Sequence, residues 1–152
     1  MAYIEPFRAF MYNQELIKDL SLVIAPPYDI ISAEDWRILE QRSIYNAVRV
    51  ILGDHEEKDI HERYAQCARV FDEWKRKGVL KRIPYPSIYF LHQRFYLKGK
   101  GVRNREGFIA LTRLEEFSSD RILPHEGTLL KPKLDRLKLL ELCKANLCPI
   151  FG

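Results

Sequence analysis

The sequence predicts an α+β fold, and three observations carry that reading. Two stretches have helical apolar spacing with identifiable caps, one long stretch alternates as a hairpin, and strands and helices follow no regular β-α-β-α order. The expected architecture is a mixed, largely antiparallel sheet with a basic-tipped hairpin and about three helices. At 152 residues the chain suits a single domain spanning 1–152. With 47% hydrophobic and 30% charged residues the composition is ordinary for a globular chain, which argues against disorder.

Residues 3–12 are aromatic and apolar around Pro6, the pattern of an edge strand. Residues 13–21 are polar and fit a loop or a short helical turn. Residues 22–25 (Leu22, Val23, Ile24, Ala25) read as a buried strand stopped by Pro26-Pro27, which remove two backbone donors and force Ala25 extended. Tyr28 and Asp29 are therefore held on a stiff turn. Such a turn can place a catalytic carboxylate or an aromatic contact, or simply reverse the chain.

Ser32 is the expected N-cap of a helix with Glu34 and Asp35 in its first turn, fading by Ser43. Residues 46–52 alternate as a strand ending at Gly53. Asp59 with Glu62 fits a capping box, and Ile60, Tyr64, Cys67, Ala68, Phe71 and Trp74 follow at helical spacing until Gly78. Residues 87–97 and 107–115 form the strands of a hairpin. Residues 98–105 (KGKGVRNR) are its long basic tip. Bulky residues on both faces of 87–97 predict a strand covered on both sides.

Cys67, Cys143 and Cys148 have no metal-site spacing, and reduced thiols in a cytoplasmic protein are the simplest account. No stretch resembles a signal peptide or a membrane span. His55 and His61 lack a second ligand pair and read as surface residues, so no metal site is expected. The net charge of +4 permits an anionic small molecule or nucleotide as partner, with no membrane. A nucleic-acid footprint would need the basic residues concentrated on one face, and nucleic acid is not the expected partner.

The densest chemistry lies at 122–140, where His125, Glu126, Thr128, Lys131, Lys133, Asp135 and Arg136 precede or open an apolar-periodic helix. A helix N-terminus favours anions. Lys131, Lys133 and Arg136 could hold a phosphate or carboxylate there, and a solvated basic loop capped by Asp135 is the alternative. The segment is not H-E-x-x-H, because Leu129 stands at the second histidine position. Walker, dinucleotide and nucleophile-elbow signatures are missing as well.

Several motifs recur here in the order of one family: Pro6-Phe7-Arg8-Ala9, Ala25-Pro26-Pro27-Tyr28-Asp29, His125-Glu126-x-Thr128, Lys133-x-Asp135-Arg136, and Ala145-Asn146 with Pro149-Ile150-Phe151. In these the chain resembles domain-of-unknown-function family 1015 of bacteria and archaea, over essentially its whole length. Members are longer, so the resemblance implies that this is the N-terminal part of a larger protein. A more distant likeness is to the ParB and sulfiredoxin superfamily, which binds nucleotides through a basic loop at a helix start and includes a free-serine kinase. The chain departs from it in lacking G-E-R-R and G-G-C-H-R, which leaves nucleotide and reaction open.

Two functional readings follow. In one, an enzyme acts on a phosphorylated small molecule or nucleotide, kinase- or phosphatase-like. Asp29, His125 and Glu126 would then be catalytic, with Tyr28, Thr128, Lys131, Lys133 and Arg136 on the substrate and Mg²⁺ or a nucleotide as cofactor. In the other, the same residues form a non-catalytic regulatory binding domain.

Overall fold

The computed structural model describes residues 2–54, 56–57, 59–119, 121–122 and 130–149. Of the residues singled out above, His55, His125, Glu126 and Thr128 lie outside this set, as do Asp120 and Ile150–Gly152. The fold is α+β, with helices and small antiparallel sheets. The strands are β1 (Ile4–Glu5), β2 (Phe10–Tyr12), β3 (Leu80–Arg82), β4 (Tyr89–Leu97), β5 (Gly101–Ile109) and β6 (Leu111–Thr112). The helices are α1 (Ala33–Arg42), α2 (Val48–Ile51), α3 (Ile60–Arg76) and α4 (Leu130–Cys143). Strands pair two by two, β1 with β6, β2 with β3 and β4 with β5, so no single mixed sheet forms among the described residues. The chain gathers into two compact units, one of residues 1–10 and 82–126 and the other of residues 11–81 and 127–152.

In the first unit the N-terminal segment is strapped down by Tyr89. Its hydroxyl accepts from the Ala9 N–H and donates to the Phe7 carbonyl, both at 2.9 Å, while the Phe7 ring meets the Tyr89 ring edge-on at 5.0 Å. Phe7 and Ser87 exchange two backbone hydrogen bonds, and Arg8 Nε donates to the Ile83 carbonyl at 2.8 Å. Pro6 splits the expected edge strand into β1 and β2, because it cannot donate to a ladder.

The hairpin differs from expectation in its tip. Tyr89 pairs with Ile109 and Leu97 with Gly101, so only Lys98, Gly99 and Lys100 form the turn. Gly99 and Gly101 sit at φ 77° and 72°, a left-handed backbone that closes the strands tightly, which places Arg103 and Arg105 in β5 rather than in a loop. The chain then turns at Ala110, and β6 pairs with β1 instead of extending the hairpin. The expected cover on both faces of β4 is also wrong, since Phe90 is 90% and Tyr96 73% exposed.

The second unit holds the core. α1 begins as expected: the Ser32 hydroxyl accepts from the Asp35 N–H and the Asp35 carboxylate from the Ser32 N–H. Trp36 and Leu39 are its buried residues. Asp59 caps α3 by accepting from the His61 N–H at 2.8 Å. No capping box forms with Glu62, because the Asp59 N–H goes to Glu57 and Glu62 pairs with Arg69. At the other end Gly78 (φ 70°) donates to the Lys75 carbonyl and buried Val79 to Trp74, a Schellman motif.

Two expected strands are not strands, for one shared reason. Asn46, fully buried, donates from Nδ2 to the carbonyls of Leu22 and Ile24 and accepts at Oδ1 from the Val48 N–H. The Ala47 N–H takes the carbonyl of Val23 at 2.7 Å. The carbonyls of residues 22–24 are thus turned toward Asn46 and Ala47, while the N–H groups of Leu22, Val23 and Ile24 bond back to the Asp19 and Leu20 carbonyls, so no ladder forms here. Residues 46–52 become a capped turn of helix, α2, whose Val48 and Val50 are buried. Replacing Asn46 with alanine would remove the partner of the Leu22 and Ile24 carbonyls and leave the buried Val48 N–H without its acceptor. We expect Asn46→Ala to lose about 2 kcal/mol of stability, read as a lower midpoint in urea denaturation.

Candidate functional site

The second unit brings two sequence motifs, Pro26-Pro27-Tyr28-Asp29 and Lys133-x-Asp135-Arg136, onto one guanidinium. Residues Tyr28–Ile30 form a single 3-10 turn after the two prolines, closed by the Ile30 N–H on the Pro27 carbonyl at 3.2 Å. The base of that turn is the segment clamped by Asn46. Tyr28 is half-buried, and the Arg136 guanidinium lies 3.9 Å from its ring centroid, a close cation–π contact. Asp29 is exposed.

Arg136 is anchored from every direction. Nε and Nη2 donate to Asp135 Oδ2 at 2.9 and 2.6 Å, and Nη2 also donates to the Tyr64 hydroxyl at 2.7 Å. Nη1 donates to the Ile51 carbonyl at 2.9 Å and to Cys148 Sγ at 3.7 Å. The Tyr64 hydroxyl donates its own proton to Asp135 Oδ1 at 2.6 Å. A guanidinium has five N–H groups, and each has an acceptor within the chain. Arg136 and Asp135 side chains are only 16% and 27% exposed. Burial disfavours the Arg136 charge, yet the bond to Asp135 and the neighbouring Tyr64 outweigh it and raise the guanidinium pKa. Burial, then the hydrogen bond to Asp135, pushes the Tyr64 phenol well above its ordinary value.

Other predicted residues fall nearby or outside. α4 begins at Leu130, so Lys131, Lys133, Asp135 and Arg136 belong to the helix rather than to a loop before it. Asp135, six residues in, does not cap the helix and instead orients Arg136. Lys133 is exposed and lies one turn ahead of Arg136, on the same side of the helix. His125, Glu126 and Thr128 lie outside the described residues, and so does the side chain of Lys131. No group of His, Cys, Asp or Glu among the described residues could hold a metal ion.

Four of the six leucines of α4, Leu130, Leu134, Leu137 and Leu140, are exposed, while Leu142 packs against the core. Leu139 and Cys143 are buried, whereas Leu130, Leu134 and Leu137 are exposed and line an open groove of about 770 Å³ with Ile60 of α3. The polar cluster at Asp135 and Arg136 takes the inward side of the helix's first half, which turns the leucine stripe outward. Cys67 and Cys143 are buried beside it. Burial pushes their thiols up to about 12 and about 11, so neither is a nucleophile at neutral pH.

A family model described as a protein of unknown function, DUF1015, matches residues 4–152. The chain belongs to the DUF1015 family. No curated protein and no solved structure matches it. No helix among the described residues is long and apolar enough to cross a membrane.

Reading the sequence alone missed Tyr64, Ile51 and Cys148. Tyr64 sits within the apolar stripe of α3, and the signal that could have exposed it is chemical, since a buried phenol needs a hydrogen-bond partner. We expect Tyr64→Phe to cost about 1–2 kcal/mol by stranding Asp135 and Arg136. Tyr12 and Tyr64 both have raised pKa values, so the folded chain keeps protons that the unfolded chain releases above the ordinary tyrosine value of 10.0. The buried thiols of Cys67 and Cys143 act in the same direction from their ordinary value of 9.0, so stability should be level through neutral pH, fall as pH rises past about 9 and fall further past about 10. Tyr64→Phe should flatten part of that fall in denaturation curves taken at increasing pH.

Proposed function

We propose that this chain handles a phosphorylated small molecule or nucleotide where the Pro26-Pro27-Tyr28-Asp29 turn meets the first turns of α4. The observation that supports this most directly is the Tyr28–Arg136 stack at 3.9 Å, which joins motifs more than a hundred residues apart in one rigid cluster. Because every Arg136 N–H already has an acceptor, Arg136 is a support and not itself a phosphate ligand. It sets the Tyr28 ring and the α4 backbone in place. The ligand's anionic groups then fall to Lys133 and Lys131, with Thr128 donating a hydrogen bond. Asp29, Glu126 and His125 are the proton-transfer candidates for a kinase- or phosphatase-like step, the work of a general acid or base. Phosphoryl transfer is accelerated chiefly by neutralising the charge on the phosphoryl oxygens, which is the part the lysines would play.

The engagement of Arg136 also favours a second reading, a regulatory domain that binds the same ligand without turning it over. A rigid, internally satisfied guanidinium suits recognition as well as it suits catalysis.

Thermal unfolding of the full chain with ATP, ADP or phosphoserine, with and without Mg²⁺, tests the shared premise. A ligand at about a hundred times its Kd adds about 2.7 kcal/mol and raises the midpoint. The rise should shrink in Lys133→Ala and persist in Leu114→Ala, an exposed position in the other unit. If no ligand moves the midpoint, or Lys133→Ala responds like the parent, the site is elsewhere. Glu126→Gln and His125→Ala then separate the readings, since an enzyme loses turnover of the bound phosphoester while keeping the thermal shift.

A further inference from the structure

β4, its turn and β5 carry five cationic residues, Arg94, Lys98, Lys100, Arg103 and Arg105, against one acidic residue, Glu106. That surplus of four equals the +4 of the whole chain, which has 25 Lys and Arg against 21 Asp and Glu. Outside the hairpin the charges cancel. The net positive charge of the chain is therefore matched by this one element. In its register Arg94 shares the face of Phe90 and Tyr96 with Glu106, whereas Arg103 and Arg105 stand opposite Phe95 and Gln93 on the other face, and Lys98 and Lys100 sit in the turn.

The same hairpin leaves its rings in solvent. Phe90, Tyr96 and Phe108 are 90%, 73% and 56% exposed. Phe90 stands directly opposite Phe108 in the register. Residues 90, 92, 94 and 96 alternate onto one face, so that face runs from an aromatic pair through His92 and Arg94 to Tyr96. Packing among the described residues does not account for these rings, and a two-stranded hairpin with bare aromatics is marginal by itself in water.

We propose that the β4–β5 hairpin is an arm that binds single-stranded nucleic acid, with Arg94, Lys98 and Lys100 on phosphates and Phe90, Phe108 and Tyr96 stacked on bases. Cations alone would serve any polyanion. Exposed ring faces add the second half of a single-strand platform, because only unpaired bases offer their own faces for stacking. A duplex keeps its bases stacked on each other, and an acidic peptide has no comparable π surface.

Fluorescence anisotropy of the full chain with labelled oligo(dT) tests this directly. Binding is expected, with about three phosphates neutralised and an affinity loss of about twenty-fold between about 50 and 200 mM salt. Lys98→Gln with Lys100→Gln alters only the exposed turn, spares strand pairing, and should lower both the affinity and the salt slope. Phe90→Leu with Tyr96→Leu keeps apolar bulk on the strand and should weaken binding about tenfold or more, while Tyr96→Phe binds like the parent. Circular dichroism of each variant confirms that the strands persist. The proposal is overturned by failure of the parent to bind at the lower salt, or by equal affinity for the oligo(dT)·oligo(dA) duplex. Parent-like binding by either double variant overturns it as well.

Discussion

The second unit is organised by a half-buried ion pair between neighbours in sequence, Asp135 and Arg136, and by the phenol of Tyr64 that bridges them. Adjacent residues on a helix diverge by about a hundred degrees, so both can turn inward only because α3 supplies a hydroxyl between them. The guanidinium then reaches the carbonyl that ends α2, the thiol of Cys148 and the ring of Tyr28. Four separate segments are fixed by one planar cation. Lysine could not substitute, since its ammonium has neither the fork to serve these acceptors nor the plane to stack on tyrosine. Removing one member leaves the other charged with fewer partners in a half-buried site, a destabilising change.

Asn46 does for the other side of this unit what Arg136 does for the α3–α4 side. One amide satisfies two carbonyls of an irregular segment and the first N–H of a short helix. Buried backbone that forms neither helix nor sheet must find side-chain partners, and here a single residue meets that need. The Pro26-Pro27 turn projects from this clamped segment, and the position of Tyr28 against Arg136 follows from it. The polar residues with the deepest burial are thus structural, and they present the exposed ones, Asp29 and Lys133, at the surface.

The first unit rests on a different device. Its N-terminal segment is held by the Tyr89 hydroxyl, the Phe7–Ser87 exchange, the Phe7–Tyr89 ring contact and the Arg8 bond to Ile83, which together give the Pro6-Phe7-Arg8-Ala9 motif a structural role. Beyond Tyr89 the hairpin buries little and carries the net charge of the chain. Rigid strapping at one end of β4 and bare aromatic and cationic side chains along the rest divide the strand between holding the unit together and facing solvent.

What the sequence determined by itself was local. The caps of α1 and α3, the left-handed glycine that ends α3 and the existence of the hairpin were all legible, because each depends on a few neighbouring side chains and the backbone groups beside them. The motifs that share the Arg136 cluster were also visible as motifs. Tertiary structure decided the rest. Residues 22–25 and 46–52 have strand-like composition, but a distant amide took their hydrogen bonds. The leucines of α4 have helical spacing, but the ion pair claimed the inward side of the first half of the helix and turned Leu130, Leu134 and Leu137 out. The stretch opening at Ile122 reads as a basic loop before a helix, and from Leu130 onward it is helix, with Asp135 and Arg136 directed at Tyr64 and Tyr28. No local pattern could choose among these outcomes, because each was settled by a buried polar group finding partners tens of residues away.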